Sequence, residues 1–162
     1  MRLSPKLESY FWKEVHRICK SSRFLESAQY IQHGNSSVYQ HSIAVAYYSC
    51  WVAEKLHLPV HWKSLIRGAL LHDYFLYDWH ADTSHGLHGF THPQTALKNA
   101  SHDFTLSSRE QNLILRHMFP LTPIPPKHLE GWLVCMVDKI CSLWETGKMP
   151  PKDYQKVFPF KK

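Results

Sequence analysis

Glycine is scarce in this chain, with six among 162 residues, and together with ten prolines it fills 16 positions. Collagen-like and low-complexity chains are excluded by that count. Cysteine is also rare: Cys19, Cys50, Cys135 and Cys141 form no C-x-x-C pair, and four are too few for a disulfide scaffold. Reduced, mostly buried thiols are expected. No long hydrophobic run exists. The longest uncharged apolar stretch, Ser42 to Ala53, has 12 residues, against roughly 20 needed to cross a bilayer. The opening Met1-Arg2-Leu3-Ser4-Pro5-Lys6 reaches Glu8 without the apolar region of a secretory signal, so a cytoplasmic protein with no membrane partner is expected. β-type alternation and internal repeats are missing too. What is present is core material: 44% of residues are hydrophobic and 20% charged, which suits one globular domain spanning 1–162.

The net charge is +6, and it is unevenly spread. Residues 1–23 carry six basic and two acidic side chains, and residues 148–162 carry five and one. The middle, 24–147, is left with eight basic and ten acidic side chains. A duplex-binding domain needs a basic stripe on the face that meets phosphates. The middle has none, so nucleic acid is not expected as the main partner. The basic ends read as extensions packing on a core of about 38–145, serving solubility or anion attraction.

Helical signals dominate. Ser4-Pro5 is an N-cap and first-turn pair opening an amphipathic run to about Lys20, with Leu7, Phe11, Val15 and Ile18 on one face. Gly34-Asn35-Ser36-Ser37 breaks the chain. A long helix is predicted from Val38 to His57, and a third from Val60 to Leu71. Residues 74–91, with Asp78, Asp82, Gly86 and Gly89, read as a loop long enough to be functional. Pro93 fits the first turn of a helix to about Ser101. Ser107-x-x-Glu110 is a capping box for another through about Met118. Four prolines between Phe119 and Lys127 forbid a long helix there. The last helix is predicted from His128 to Thr146, with Gly147 at its end. The fold class is all-α, a bundle of five or six main helices.

Thirteen histidines are many, but position matters more than abundance. His72-Asp73 closes the apolar run Leu65 to Leu71, so an imidazole and a carboxylate sit at the buried end of a helix. A buried carboxylate needs a cation or a strong set of hydrogen bonds, and a metal ion would supply the cation. Asp138 repeats the case as the only acid between Trp132 and Cys141; its helical neighbours Val134, Cys135, Cys141 and Ser142 are small enough to admit another element. The alternative for Asp138 is a pair with Lys139 at a helix edge. His41 shares a face with Val45, Tyr48 and Val52, and alone it reads more readily as a hydrogen-bonded core histidine than as a ligand.

Taken in order, His41, then His72-Asp73, then Asp138 resemble the H…HD…D pattern of the HD-domain superfamily of metal-dependent phosphohydrolases. The resemblance covers about residues 38–145 and implies an HD-type helical bundle. Thr91-His92-Pro93-Gln94 and Leu115-Arg116-His117-Met118 are similar to the two additional ligand positions of two-metal members, which include the HD-GYP cyclic-dinucleotide phosphodiesterases and the symmetrical diadenosine-tetraphosphate hydrolases. The resemblance therefore implies a first ion held by His41, His72, Asp73 and Asp138. It implies a second held by Asp73 as bridge, His92 and His117, with His88 the rival for the place of His92. His80 and His85 would face the substrate or support the ligands.

Imidazole and carboxylate donors suit divalent ions such as Mn, Fe, Ni, Co, Zn or Mg without selecting among them. Two such ions acidify a shared water and neutralise charge on a phosphoryl group, so hydroxide attacks phosphorus without a covalent intermediate. Asp73 is the central catalytic residue in that scheme. Arg67, Arg116 and Lys139 are the cations to contact phosphate, each equally readable as a surface cation. Tyr74, Tyr77 and Trp79 either stack on a base or pack. The expected substrate is a small, nucleotide-like phosphomonoester, phosphodiester or phosphoanhydride. Two departures separate the chain from HD-GYP members: Leu76 stands where they have a lysine, and Met118-Phe119-Pro120 follows His117 where they have glycine-tyrosine-proline. The stretch from His72 to Trp79 is similar to bacterial HD proteins without an assigned substrate. Two alternatives share the ligand set: a mixed-valence di-iron oxygenase, and a module that senses a nucleotide without turning it over.

Overall fold

The structure, a computed structural model, describes residues 1–21, 23–81 and 87–147. Asp82, His85, Gly86 and the basic stretch 148–162 lie outside the described residues. In chain order the elements are α1 (Pro5–Ser21), a 3-10 helix (Arg23–Gln29), β1 (Ile31–His33), β2 (Ser36–Ser37), α2 (Val38–Lys55), α3 (Trp62–Leu71), α4 (His88–Asp103), α5 (Ser108–Arg116) and α6 (Leu129–Thr146). The protein is mainly all-α, with six α-helices among the described residues.

α2 runs through the middle of the bundle. It is buried on every side, from Ile43 through Cys50 to Ala53, as a helix that is apolar all round must be. Its start is set by a capping box: the Ser37 hydroxyl accepts from the Gln40 amide, and the Gln40 side chain accepts from the Ser37 N–H at 3.0 Å. α3, α6 and the 3-10 helix pack against it, and α1 closes one side through Leu7, Phe11, Val15 and Ile18. One buried apolar cluster contains side chains from all six helices. Burying each Leu, Ile or Phe of that cluster is worth about 1.5–3 kcal/mol.

α3 and α5 approach closely because Gly68 faces Leu113: a Cβ on Gly68 would lie 2.7 Å from the Leu113 side chain. This contact brings the C-terminal ends of both helices side by side. The Ser107–Glu110 capping box begins α5 as the sequence predicts. Gly131, in the first turn of α6, sits against Pro126 of the proline-rich segment. No helix among the described residues is long and apolar enough to cross a membrane.

Two elements differ from expectation. α4 begins at His88 rather than at Pro93, so Pro93 lies inside the helix, where it costs the hydrogen bond to the Gly89 carbonyl. Burial of His92, Pro93, Ala96 and Ala100 offsets that loss. The segment at Gly34 is more than a break: β1 and β2 pair antiparallel around it, and Gly34 takes the left-handed φ of +58° that the turn requires.

Candidate metal centre

The end of a helix leaves carbonyls without partners, and two histidines use this. His72 and His117 stand at the C-caps of α3 and α5. Each donates its Nδ1–H to the carbonyl three residues back, Ala69 at 2.7 Å and Ile114 at 2.8 Å. His92 does the same toward the His88 carbonyl at 2.8 Å. In the neutral form of each ring, a proton held on Nδ1 by that carbonyl leaves Nε2 as a lone pair for a cation. Those Nε2 atoms converge on Asp73, the first residue beyond the C-cap of α3.

The two oxygens of Asp73 face different groups. Oδ2 lies 3.4 Å from His72 Nε2 and 3.7 Å from His41 Nε2. Asp138 Oδ1 completes that side, 2.9 Å from His41 Nε2 and 3.6 Å from His72 Nε2. Oδ1 of Asp73 lies instead 3.2 Å from His92 Nε2 and 3.4 Å from His117 Nε2. The structure thus brings together all six side chains singled out in the sequence: His41, His72, Asp73, His92, His117 and Asp138. All are buried. His88 does not take the place of His92. Its ring stacks on that of His92 at 4.6 Å, one turn earlier in α4.

The donor set fits a cation. His92 Nε2 and His117 Nε2 are 2.9 Å apart, yet both rings have spent their proton on a backbone carbonyl. Two lone pairs at that distance require a positive charge between them or a proton on one ring. Burial and the neighbouring charge of His72 outweigh Asp73 and depress the pKa of His117, which disfavours the proton. His72 Nε2 and Asp73 Oδ1 are buried without a hydrogen-bond partner, a costly state that an ion relieves. His41, His72 and Asp138 form one group with metal-ligand proximity, and His72, Asp73 and His117 form a second. The C-terminal ends of α3 and α5 add favourable dipoles for a cation.

Electrostatics on the other side point the same way. His41 lies between two acids, with Nδ1 2.8 Å from Glu145 Oε2 and Nε2 2.9 Å from Asp138 Oδ1. Burial opposes its charge, but Asp138 and Glu145 prevail and raise its pKa well above the ordinary value. Burial also opposes ionisation of Asp73, and the imidazoles of His72, His117 and His92 more than reverse this, holding its carboxyl well below the usual range. For Asp138 the same burial is overcome by His41 and His72. Without metal, the proton on His41 stands where a divalent ion would supply charge.

Two residues that complete this arrangement escaped sequence reasoning. Glu145 fixes His41 from behind, and its signal was available: it follows Asp138 by seven residues, two turns along one helix face. Gln32, on β1, donates from Nε2 to Asp73 Oδ2 at 2.5 Å. Nothing in the local text marks it.

Of the three cations expected to meet phosphate, two are engaged elsewhere. Arg67 donates to Glu110 at 2.8 Å and to the Thr105 carbonyl, tying α3 to the start of α5. Lys139 donates to the His117 carbonyl at 3.2 Å and to Cys135, so it caps α5 and leaves Asp138 to the histidines. Arg116 is half-buried and makes no ion pair among the described residues. The aromatic residues after Asp73 pack: Tyr74 donates its hydroxyl to Asp103, Tyr77 bonds to His88 Nδ1, and Trp79 stacks on the His88 ring at 4.6 Å. Leu76, at φ +57°, is strained backbone, and Asn99 steadies it by donating to the Tyr74 and Phe75 carbonyls. His80 lies beside Trp79 and bonds through its N–H to Asp78, outside the cluster. Two surface cavities, about 590 Å³ and about 310 Å³, lie beside Glu54 and share no residue with the cluster. Comparison with protein-family models, with curated proteins and with solved structures found no match to this chain.

Proposed function

We propose that the protein is a metal-dependent phosphohydrolase acting on a small, nucleotide-like phosphomonoester, phosphodiester or phosphoanhydride. The observation that carries this reading is Asp73, whose two carboxylate oxygens face two separate sets of imidazoles. Such a carboxylate could serve two ions, with His41, His72 and Asp138 available to hold one and His92 and His117 to hold the other. Divalent ions bound there would acidify water into the neutral range and offset charge growing on phosphoryl oxygens. The chain's own part is positional. Backbone carbonyls of Ala69, His88 and Ile114 lock the imidazoles in one tautomer, and Glu145 does the same for His41. Arg116, next to His117 and free of acidic partners among the described residues, is the cation for the phosphate.

Metal analysis of the purified protein, combined with a screen of nucleotides, dinucleotides and phosphomonoesters, tests the proposal. Phosphate release that vanishes in Asp73→Ala is the expected result. Oxygen uptake without phosphate release would replace it with the di-iron oxygenase. Nucleotide binding with neither reaction would replace it with the sensing module.

A further inference from the structure

A strand of three residues is too short to be stable alone, so the hairpin Ile31–Ser37 must be held by what it touches. It packs against α2 and α6. At its turn the approach is tight: a Cβ on Gly34 would lie 2.5 Å from the Glu145 carbonyl oxygen. Along β1 the side chains alternate, with Ile31 44% exposed and Gln32 5% exposed. The alternation sends one polar side chain inward, and it ends on Asp73.

We propose that Gln32 is a positioning residue of the metal centre: its amide fixes the plane of the Asp73 carboxylate so that each oxygen faces its own set of imidazoles. The inference rests on the reading of the cluster as a metal centre. Its bond from Nε2 reaches Oδ2, the oxygen facing His41 and His72. Reversing the amide would set a carbonyl oxygen against a carboxylate oxygen at the same spacing, so the donor orientation is the one chemistry permits. An amide suits the task. A cationic side chain in its place would compete with an ion for Asp73, whereas an amide donates a hydrogen bond and brings no charge. The remaining oxygen, Gln32 Oε1, is buried without a partner. An unpaired buried acceptor is costly, which argues that the glutamine is not there for stability. The hairpin thereby joins the centre at two points, through Gln32 at Asp73 and through Gly34 behind the residue that holds His41.

The test is titration of the full chain with Mn²⁺ alone, read by calorimetry and by electron paramagnetic resonance. Gln32→Leu keeps the bulk and removes the donor. The expected result is a 10- to 100-fold loss of Mn²⁺ affinity, the usual effect of removing a hydrogen bond to a ligating carboxylate, with loss of the spin-coupled signal of a shared ion pair. Gln32→Glu keeps the shape and is the deciding variant if the leucine chain fails to fold. Read at alkaline pH, where residue 32 is ionised, it should also bind more weakly, because a carboxylate has no proton to offer Asp73 and repels it. Wild-type affinity in either variant overturns the inference. Tighter binding in Gln32→Glu also overturns it, by making residue 32 an oxygen ligand. A wild type that binds no divalent ion removes the metal-centre reading itself, a result distinguishable from equal binding by wild type and variants.

Discussion

Glu145→Gln separates a carboxylate that serves the proposed metal centre from one that serves the core. The Glu145 side chain is 1% exposed and lies 2.8 Å from His41 Nδ1, so the substitution removes a full charge at nearly constant volume. A carboxylate behind a ligating imidazole raises the basicity of the nitrogen that faces the ion. Removing it costs 10- to 100-fold in metal affinity, or about 1.4–2.7 kcal/mol. The pH dependence is the sharper consequence. In the wild type, Asp138 and Glu145 raise the pKa of His41 against the effect of burial, so a metal competes with a proton for that ring. Without the Glu145 charge, both the proton and the ion are held less tightly. Where His41 is protonated these two losses partly cancel; where it is already deprotonated only the loss of metal affinity remains. The deficit of Glu145→Gln should therefore widen as pH rises, while wild-type affinity itself rises with pH. Competition with a chelator of known affinity, repeated across the pH range, measures both curves. Parallel curves, or no deficit at any pH, would refute the role given to Glu145.

Chelation should lower the thermal midpoint: at an ion concentration 100 times Kd the bound state gains about 2.7 kcal/mol, worth about 5–10 °C in a chain of this size. Calorimetric scans with and without metal check this, and His72→Ala should abolish the shift. Arg67→Ala should destabilise by about 3–5 kcal/mol, because it leaves the buried Glu110 without its partner, and should leave KM for a phosphorylated substrate unchanged. Arg116→Ala should do the reverse, raising KM with little change in denaturant midpoint. The metal-free protein should be most stable between the carboxylate range and neutrality. The depressed pKa values of Asp73 and Asp138 give stability present above the ordinary carboxylate value and lost as pH falls through the folded ones. The raised pKa of His41 gives stability present below about 6.5 and lost as pH climbs through its folded value. Urea titrations from acid to alkaline pH would show this dome, and a curve still rising past neutrality would contradict it.

The helices were legible because their signals are local. Ser4-Pro5 and Ser107-x-x-Glu110 mark helix starts through bonds closed within one turn, and the stripe Leu7, Phe11, Val15, Ile18 needs only the helical period. Pro93 misled for the same reason: first-turn placement is a local preference, and here burial of the α4 face was stronger. The candidate cluster was legible in part: His41, His72, Asp73 and Asp138 from their places in or at the ends of apolar helices and their order along the chain, His92 and His117 only through the resemblance to two-metal HD proteins. The partners of Arg67 and Lys139 were not legible because a charge on a sequence has no address; Glu110 and the His117 carbonyl lie 43 and 22 positions away.

Residue types and helical period, then, already determined an all-α chain with ionisable groups placed inside its core, and a carboxylate buried there needs a cation or a strong set of hydrogen bonds whatever the topology. Tertiary structure decided how that demand is met. Gly68 lets α3 and α5 end side by side, Asp73 divides its oxygens between two sets of imidazoles, and a hairpin too short to read in the sequence supplies Gln32. Gln32 with Asp73 and His41 with Glu145 join residues 41 and 104 positions apart, and distance in space is the one quantity that spacing along a chain does not encode.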